Sequence, residues 1–158
     1  KNENQYELEI QLVDSLQEGE VAVAACGSSN RIAPWGGLLS TAARVKKVNG
    51  AIMDGFVRDV QQIRKMSFPV YAAGIAPLDS KGRGKVIEID VPVECAGVRV
   101  CPGDVIFGDA DGCVAIPQQI FSEVLSHSAK KLESENGTLK ALESGRSLKD
   151  VFQEFGVL

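Results

Sequence analysis

The sequence predicts an α/β fold, a single domain over residues 1–158 with a mixed sheet flanked by helices. Three observations predict it. The runs 21–26 and 51–53 are short and continuously apolar, as strands covered on both faces are. Helical apolar spacing separates them, so the first half reads β-α-β-α-β with parallel pairing. From residue 86 onward, short apolar segments follow one another across turn residues, the mark of antiparallel hairpins.

Taken in order, Leu8, Leu12, Val13 and Leu16 recur at helical spacing, so residues 5–16 form an amphipathic helix that ends at Glu18-Gly19. Val21 to Cys26 is the first strand. A loop rich in Gly, Ser, Asn and Pro spans residues 27–36. Leu38, Leu39, Ala42, Ala43 and Val45 then make a second helix, ending near Asn49-Gly50. Ala51-Ile52-Met53 is a second strand, which Asp54-Gly55 breaks. A third helix runs over 60–66 with Asp59 as N-cap, and a third strand over 68–72. Residues 73–85 form a Gly-rich connection. Residues 86–95 alternate as a strand, Ala96-Gly97 turns into 98–100, Pro102-Gly103-Asp104 into 105–107, and Asp111-Gly112 into 113–116. A long helix follows from Gln118 to Ser144, and Ser147 caps a last one holding Val151, Phe152 and Phe155.

Composition narrows the function classes. The net charge of −4 gives no basic footprint for nucleic acid. No apolar run reaches the roughly 20 residues that span a bilayer, and the polar start KNENQYELEI is no signal peptide. Without an initiator Met, the chain is expected to begin inside a longer protein that supplies an N-terminal segment. Cys26, Cys95, Cys101 and Cys113 form no CxxC pair, and one His is present, so a zinc site is disfavoured. Buried free thiols in a reducing cytoplasm are the expectation.

Ligands of open α/β sheets bind beyond the carboxyl ends of the strands. Two segments leave such ends here, 26–37 and 54–59, and they face one crevice if their strands are neighbours. Gly36-Gly37-Leu38-Leu39 opens a helix, where glycines admit close approach and free N–H groups with the helix dipole favour a carboxylate or phosphate. A plain glycine-rich helix start is the alternative. Arg58-Asp59 offers a guanidinium that forks onto a carboxylate or keto oxygen, beside an acid able to hold a hydrated divalent cation. That pair would stabilise an enolate as it forms. A helix cap for Asp59 and a surface role for Arg58 remain open on the residues alone. Asp109 and Asp111 read as turn caps, His127 as solvated, and Ser80 to Gly84 as a surface loop rather than a phosphate cradle. Trp35 lines the crevice or an interface. No full GxGxxG or P-loop occurs, which argues against a nucleotide site.

Three segments carry a resemblance: residues 35–43 (WGGLLSTAA), residues 50–59 (GAIMDGFVRD), and Pro102-Gly103-Asp104-Val105 through Asp109 to Pro117. In this order and spacing the chain resembles the RraA-like family, which includes class II 4-hydroxy-4-methyl-2-oxoglutarate aldolases. The likeness covers most of residues 10–120 and, more loosely, the C-terminal helices. It implies a swivelling β/β/α fold, assembled as a homotrimer or hexamer with sites between subunits. It implies a metal-dependent pyruvate aldolase and oxaloacetate decarboxylase using Mg²⁺ or Mn²⁺, with a small α-keto acid as substrate. By resemblance Arg58 binds the keto oxygen, Asp59 holds the metal, and backbone N–H groups of Gly37, Leu38 and Leu39 take the pyruvate carboxylate. Gly37 departs from the aldolase pattern, which often has an acid there; Glu133 or Glu135 of a neighbouring subunit would complete the metal shell. The branch named regulator of ribonuclease activity A, which binds protein, tends to lack the acid after the Arg. Asp59 therefore favours the aldolase branch over a non-catalytic regulator.

Overall fold

The structure is a computed structural model that describes residues 4–157. It divides into two compact units, Lys1–Ala115 and Ile116–Leu158, each taken by itself below.

In the first unit, helix α1 (Glu7–Ser15) precedes strand β1 (Val21–Ala24), helix α2 (Gly37–Val45), strand β2 (Gly50–Val57), helix α3 (Val60–Lys65) and strand β3 (Val70–Ile75). These strands form one parallel sheet in the order β1-β2-β3. Val21 lies opposite Gly50 and Ala24 opposite Met53, so the two strand ends expected to share a crevice are neighbours in register. Strand β2 is central and buried along almost its whole length, as a parallel strand flanked on both edges must be. The core gathers Val13 and Leu16 of the first helical segment, Ala22, Ala51, Met53 and Val57 of the sheet, and Trp35, Ala43, Ile63 and Phe68.

Asp54-Gly55 does not break β2, contrary to expectation: the strand runs on to Val57, with a register shift against β3 between Met53 and Phe56. The reason is that Asp54 finds its partners across the structure. Its carboxylate accepts N–H groups from Cys26 at 2.5 Å, Ser28 at 3.0 Å and Ala96 at 3.5 Å. A buried acid so bonded no longer needs water. Gly55 is required because Cys26 packs against it; a Cβ there would lie 2.8 Å from Cys26 Sγ. The loop after β2 is thereby reduced to Arg58-Asp59.

Strand β3 starts and ends later than expected, at Val70–Ile75. The alternating stretch 86–95 is a strand only at β4 (Val93–Cys95). Asp90 takes a left-handed φ of 58° and Pro92 has no N–H to donate, so the chain before β4 cannot pair as a regular strand. Strand β4 pairs antiparallel with β5 (Val98–Val100) through Ala96-Gly97, both at positive φ (51° and 77°), the geometry of the tightest hairpin turns. Strands β6 (Val105–Gly108) and β7 (Cys113–Ile116) form a third sheet. Parallel and antiparallel pairing thus both occur, in separate sheets. All four cysteines are free, but only Cys95 is buried; Cys26 and Cys101 are half-buried and Cys113 is exposed, because it sits in a two-stranded sheet rather than a core strand.

The second unit holds a 3₁₀ turn (Gln118–Ile120), helix α4 (Phe121–Glu143) and helix α5 (Leu148–Phe155). Ser147 Oγ accepts the Asp150 N–H at 3.2 Å, the expected N-cap. Among the described residues no helix is long and apolar enough to cross a membrane.

Candidate functional site

Trp35 builds the site. It is buried, its ring stacks on Phe68 with centroids 6.4 Å apart, and its indole N–H donates to Ser40 Oγ at 2.8 Å. It is therefore core, neither crevice wall nor interface. Its backbone bridges Val57 in parallel, and its carbonyl accepts the Arg58 N–H at 3.0 Å. This fixes the start of α2 against the end of β2, and brings Gly36-Gly37 beside Arg58-Asp59 although more than twenty positions separate them.

The contact is close. Asp59 Oδ2 accepts the Gly37 N–H at 2.9 Å and lies 3.2 Å from Arg58 Nη1. Asp59 occupies the N-cap position of α3 at a left-handed φ of 58°, yet its side chain makes no cap there. The expected cap is corrected in this sense: the carboxylate turns to the N-terminus of α2, where the helix dipole favours an anion. Only the Asp59 carbonyl serves α3, accepting from Gln62 and Ile63. Glycine at 36 lets the pair approach, since a Cβ would stand 2.7 Å from Asp59 Oδ2 and 2.8 Å from Arg58 Nη1 and would displace both side chains. A Cβ on Gly37 would collide with the Gln62 carboxamide.

The structure therefore assembles all six residues that the sequence singled out. Gly37 N–H is occupied by Asp59, whereas the N–H groups of Leu38 and Leu39 take no acceptor among the described residues. The Leu38 side chain is 79% exposed, while Leu39 packs on the core. Arg58 is mostly buried and Asp59 half-exposed, with 23% and 42% of their side chains accessible. Arg58 Nε is buried without a partner among the described residues.

Two hollows of the first unit lie elsewhere. One of 720 Å³ is lined by Leu12, Val21, Ile52, Tyr71 and Phe107 among others, and one of 360 Å³ by Val57, Ile63, Phe68 and Ile75 among others. The larger has no cationic side chain in its walls to hold an oxo acid. Arg58 and Asp59 line neither hollow, and the chemistry rather than a volume marks their site.

Two residues of the neighbourhood escaped the sequence reading. Asp79 Oδ2 lies 3.0 Å from Arg58 Nη2, and Tyr6 Oη donates to Asp79 Oδ1 at 2.7 Å. The segment 80–84, expected to be a surface loop, is pinned: Ser80 is buried, and Gln5 Nε2 donates to the carbonyls of Ser80 at 2.7 Å and Gly84 at 3.0 Å. No local pattern signals such contacts over more than seventy positions. Asp109 Oδ1 accepts the Asp111 N–H at 2.8 Å, the turn cap expected. His127 is exposed on α4. Glu133 is exposed, and Glu135 pairs with Lys131 at 3.4 Å.

As to a metal, no group of three or more His, Cys, Asp or Glu side chains converges among the described residues. Of the two described carboxylates at Arg58, Asp59 is the one the sequence reading assigns to a cation, and it could anchor one. A half-exposed carboxylate with one oxygen still open fits a hydrated Mg²⁺ or Mn²⁺, which keeps several waters, and not a cation caged by protein.

The family model described as RraA-like, Aldolase/RraA, matches residues 2–115. An uncharacterized protein of Methanocaldococcus jannaschii is 39% identical over 75% of this chain and 57% of its own length. The 4-hydroxy-4-methyl-2-oxoglutarate aldolase of Thermus thermophilus is 35% identical over 63% of this chain and 60% of its own. The chain thus spans less than two thirds of either relative. Among solved structures, Streptomyces coelicolor RraAS2, an unusual member of the RNase ES inhibitor RraA protein family, superposes with a TM-score of 0.78 at 25% identity, over 84% of this chain and 67% of that one. The matched span holds the parallel sheet, the Trp35 clamp and the Arg58-Asp59 pair, and on this ground the chain belongs to the RraA-like family.

Proposed function

We propose that the chain is a divalent-metal-dependent lyase that releases pyruvate, by retro-aldol cleavage of 4-hydroxy-4-methyl-2-oxoglutarate-type substrates and by decarboxylation of oxaloacetate. The observation that carries this reading is the Arg58-Asp59 pair set against the first turn of α2. The aldolase name of a Thermus thermophilus relative supports the same class.

In this reading the free N–H groups of Leu38 and Leu39 take the substrate carboxylate at the positive end of the helix. Arg58 offers its remaining N–H groups to the keto oxygen. Mg²⁺ or Mn²⁺ held by Asp59 supplies Lewis-acid polarisation of the oxo acid. When the C–C bond breaks, its electron pair becomes the enolate C=C bond and the carbonyl π pair moves onto the keto oxygen, where the guanidinium stabilises the charge as it develops. In the retro-aldol direction, water held by Arg58 takes the hydroxyl proton of the departing fragment and returns a proton to the enolate carbon. In decarboxylation CO₂ leaves instead, and a proton from solvent, passed through the water held by Arg58, reaches the enolate carbon to give pyruvate. Assembly as a homotrimer or hexamer would let Glu133 or Glu135 of a neighbouring subunit add to the cation shell.

The test is pyruvate release from oxaloacetate in a coupled assay. EDTA, Arg58→Ala and Asp59→Ala should each abolish it, and turnover that survives all three ends the proposal. The likeness to RraAS2 favours a second reading, a protein-binding regulator of ribonuclease activity. That reading predicts no metal-dependent turnover and inhibition of a ribonuclease by the purified chain.

A further inference from the structure

Arg58 is held from two sides. Asp59 lies at Nη1 and Asp79 at Nη2, at 3.2 Å and 3.0 Å. The two acids are not equivalent. Both are half-exposed, with 42% and 41% of their side chains accessible, so their partners separate them: Asp59 is the acid that, on the proposed function, a cation would draw away. Asp79 is locked in place. Its Oδ1 accepts both the Tyr6 hydroxyl and the Lys81 N–H, each at 2.7 Å, which leaves Oδ2 for the guanidinium. Arg83 Nη1 donates to the Asp79 carbonyl at 3.2 Å. The Asp79 carboxyl sits below the usual carboxylate range because the Lys81 N–H, then the Tyr6 hydroxyl, donate to its charged form.

The segment carrying Asp79 is anchored in turn. Ala33 N–H donates to the Leu78 carbonyl at 2.7 Å, which ties it to the loop leading into α2. Gly82 N–H donates to Gln5 Oε1 at 3.2 Å, and the Ser80 hydroxyl donates to Glu9 Oε2 at 3.4 Å. The residues that begin α1 therefore reach Arg58 through Asp79.

A free arginine side chain samples many rotamers, and its aim is worth most when it must meet charge that develops on one oxygen. We propose that Asp79 is the positioning residue that aims Arg58 at the substrate oxygen, and that Tyr6 acts through it. This rests on the reading of Arg58 as the substrate-binding cation. Asp79 keeps the guanidinium in place when Asp59 turns to the cation, so the two acids divide the work of orientation and ligation.

The test uses Asp79→Asn, which retains an acceptor for Tyr6 and Lys81 but loses the charge facing Arg58, together with Tyr6→Phe and the double variant. The first readout is independent of turnover. The Arg58 Nε–Hε signal in an ¹⁵N–¹H spectrum, assigned by its absence in Arg58→Lys, should exchange slowly with water in the parent protein. In Asp79→Asn it should exchange roughly tenfold faster, because a guanidinium that has lost its charge-assisted tether at Nη2 no longer keeps the buried Nε away from water. The second readout is pyruvate release, where kcat should fall roughly 10- to 100-fold with a smaller change in KM. Tyr6→Phe should give a lesser loss that disappears in the Asp79→Asn background. A merely structural role would lower Tm and leave kcat and the Arg58 signal unchanged, and that result overturns the proposal. A parent protein that releases no pyruvate sinks the lyase reading, and the Arg58 signal then decides the tether alone: faster exchange in Asp79→Asn upholds it and unchanged exchange removes it.

Discussion

Asp54 is the residue whose loss should cost the fold most per atom removed. It is 5% exposed, and its carboxylate gathers N–H groups from the loop after β1, at Cys26 and Ser28, and from the β4–β5 turn at Ala96. A hydrogen bond to a charged group is worth about 1.5–3 kcal/mol. The Cys26 and Ser28 bonds, at 2.5 and 3.0 Å, count in full, and the Ala96 bond at 3.5 Å counts little. Asp54→Ala should therefore cost about 3–6 kcal/mol, a large part of the ~5–15 kcal/mol of a typical domain. For a chain of this size that is a fall in Tm of roughly 9–18 °C. Asp54→Asn should lose nearly as much, because its NH₂ would face backbone N–H groups. The pH dependence has a definite sign. Burial raises the Asp54 carboxyl, but the N–H donors of Cys26, Ser28 and Ala96 outweigh it and hold the group below its ordinary 3.8. A depressed folded value means that the contribution is complete above pH 3.8 and is lost as pH falls through the lower folded value. Thermal melts followed by circular dichroism from pH 7 down to pH 3 should show the gap between parent and Asp54→Asn closing in acid. A Tm for Asp54→Ala within about 3 °C of the parent at pH 7, roughly 1 kcal/mol, would show that these bonds do not hold the sheet end together.

Three further outcomes follow from single residues. Gly36→Ala should adopt the extended backbone there (φ −151°, ψ −168°) without strain, yet its Cβ would push Asp59 and Arg58 apart; pyruvate release should drop about tenfold or more with Tm nearly unchanged, and retained activity would refute the close approach. Burial, then the Asp54 carboxylate, push the Cys26 thiol up to about 11, so at pH 8 only about one molecule in a thousand carries the reactive thiolate. Iodoacetamide should therefore modify exposed Cys113 well before Cys26 in peptide-mapped digests, and equal labelling would contradict this. Glu9, buried under the Ser80 segment, has its carboxyl raised by burial against the lowering effects of Ser80 and Arg58. A raised folded value means stability that is full below the ordinary 4.5 and lost as pH rises through the folded value. Glu9→Gln should thus raise Tm at pH 7 and lose that advantage below pH 4.5; a lower Tm at pH 7 would be the contrary result.

What was legible in the sequence follows from the range over which each feature acts. Periodicity is local, so the β-α-β-α-β half was readable to within a few residues, as was the Ser147 cap of α5. The family resemblance reached further because WGGLL and GFVRD are short, contiguous segments whose meeting the parallel register guarantees once β1 and β2 are neighbours. The errors share one cause. Asp54-Gly55 looks like a turn until Cys26, Ser28 and Ala96 are brought to it, and 86–92 looks like a strand until Asp90 turns left-handed. Asp59 looks like a cap for its own helix until α2 offers a nearer N-terminus.

The same reasoning separates the parts of the site. Arg58, Asp59 and the glycines of α2 are chemical groups that a sequence can advertise, because what they do depends on what they are. Asp79 and Tyr6 are ordinary residues in unremarked positions, and their part depends on where the fold places them. Tyr6 lies 73 residues from the acid to which it donates, at the N-cap of a helix that the sheet itself does not need for pairing. A site whose reactive groups are local and whose orienting groups are distant should tolerate change at α1 in stability long before it tolerates it in rate. Tyr6→Phe should accordingly leave a well-folded protein that releases pyruvate more slowly.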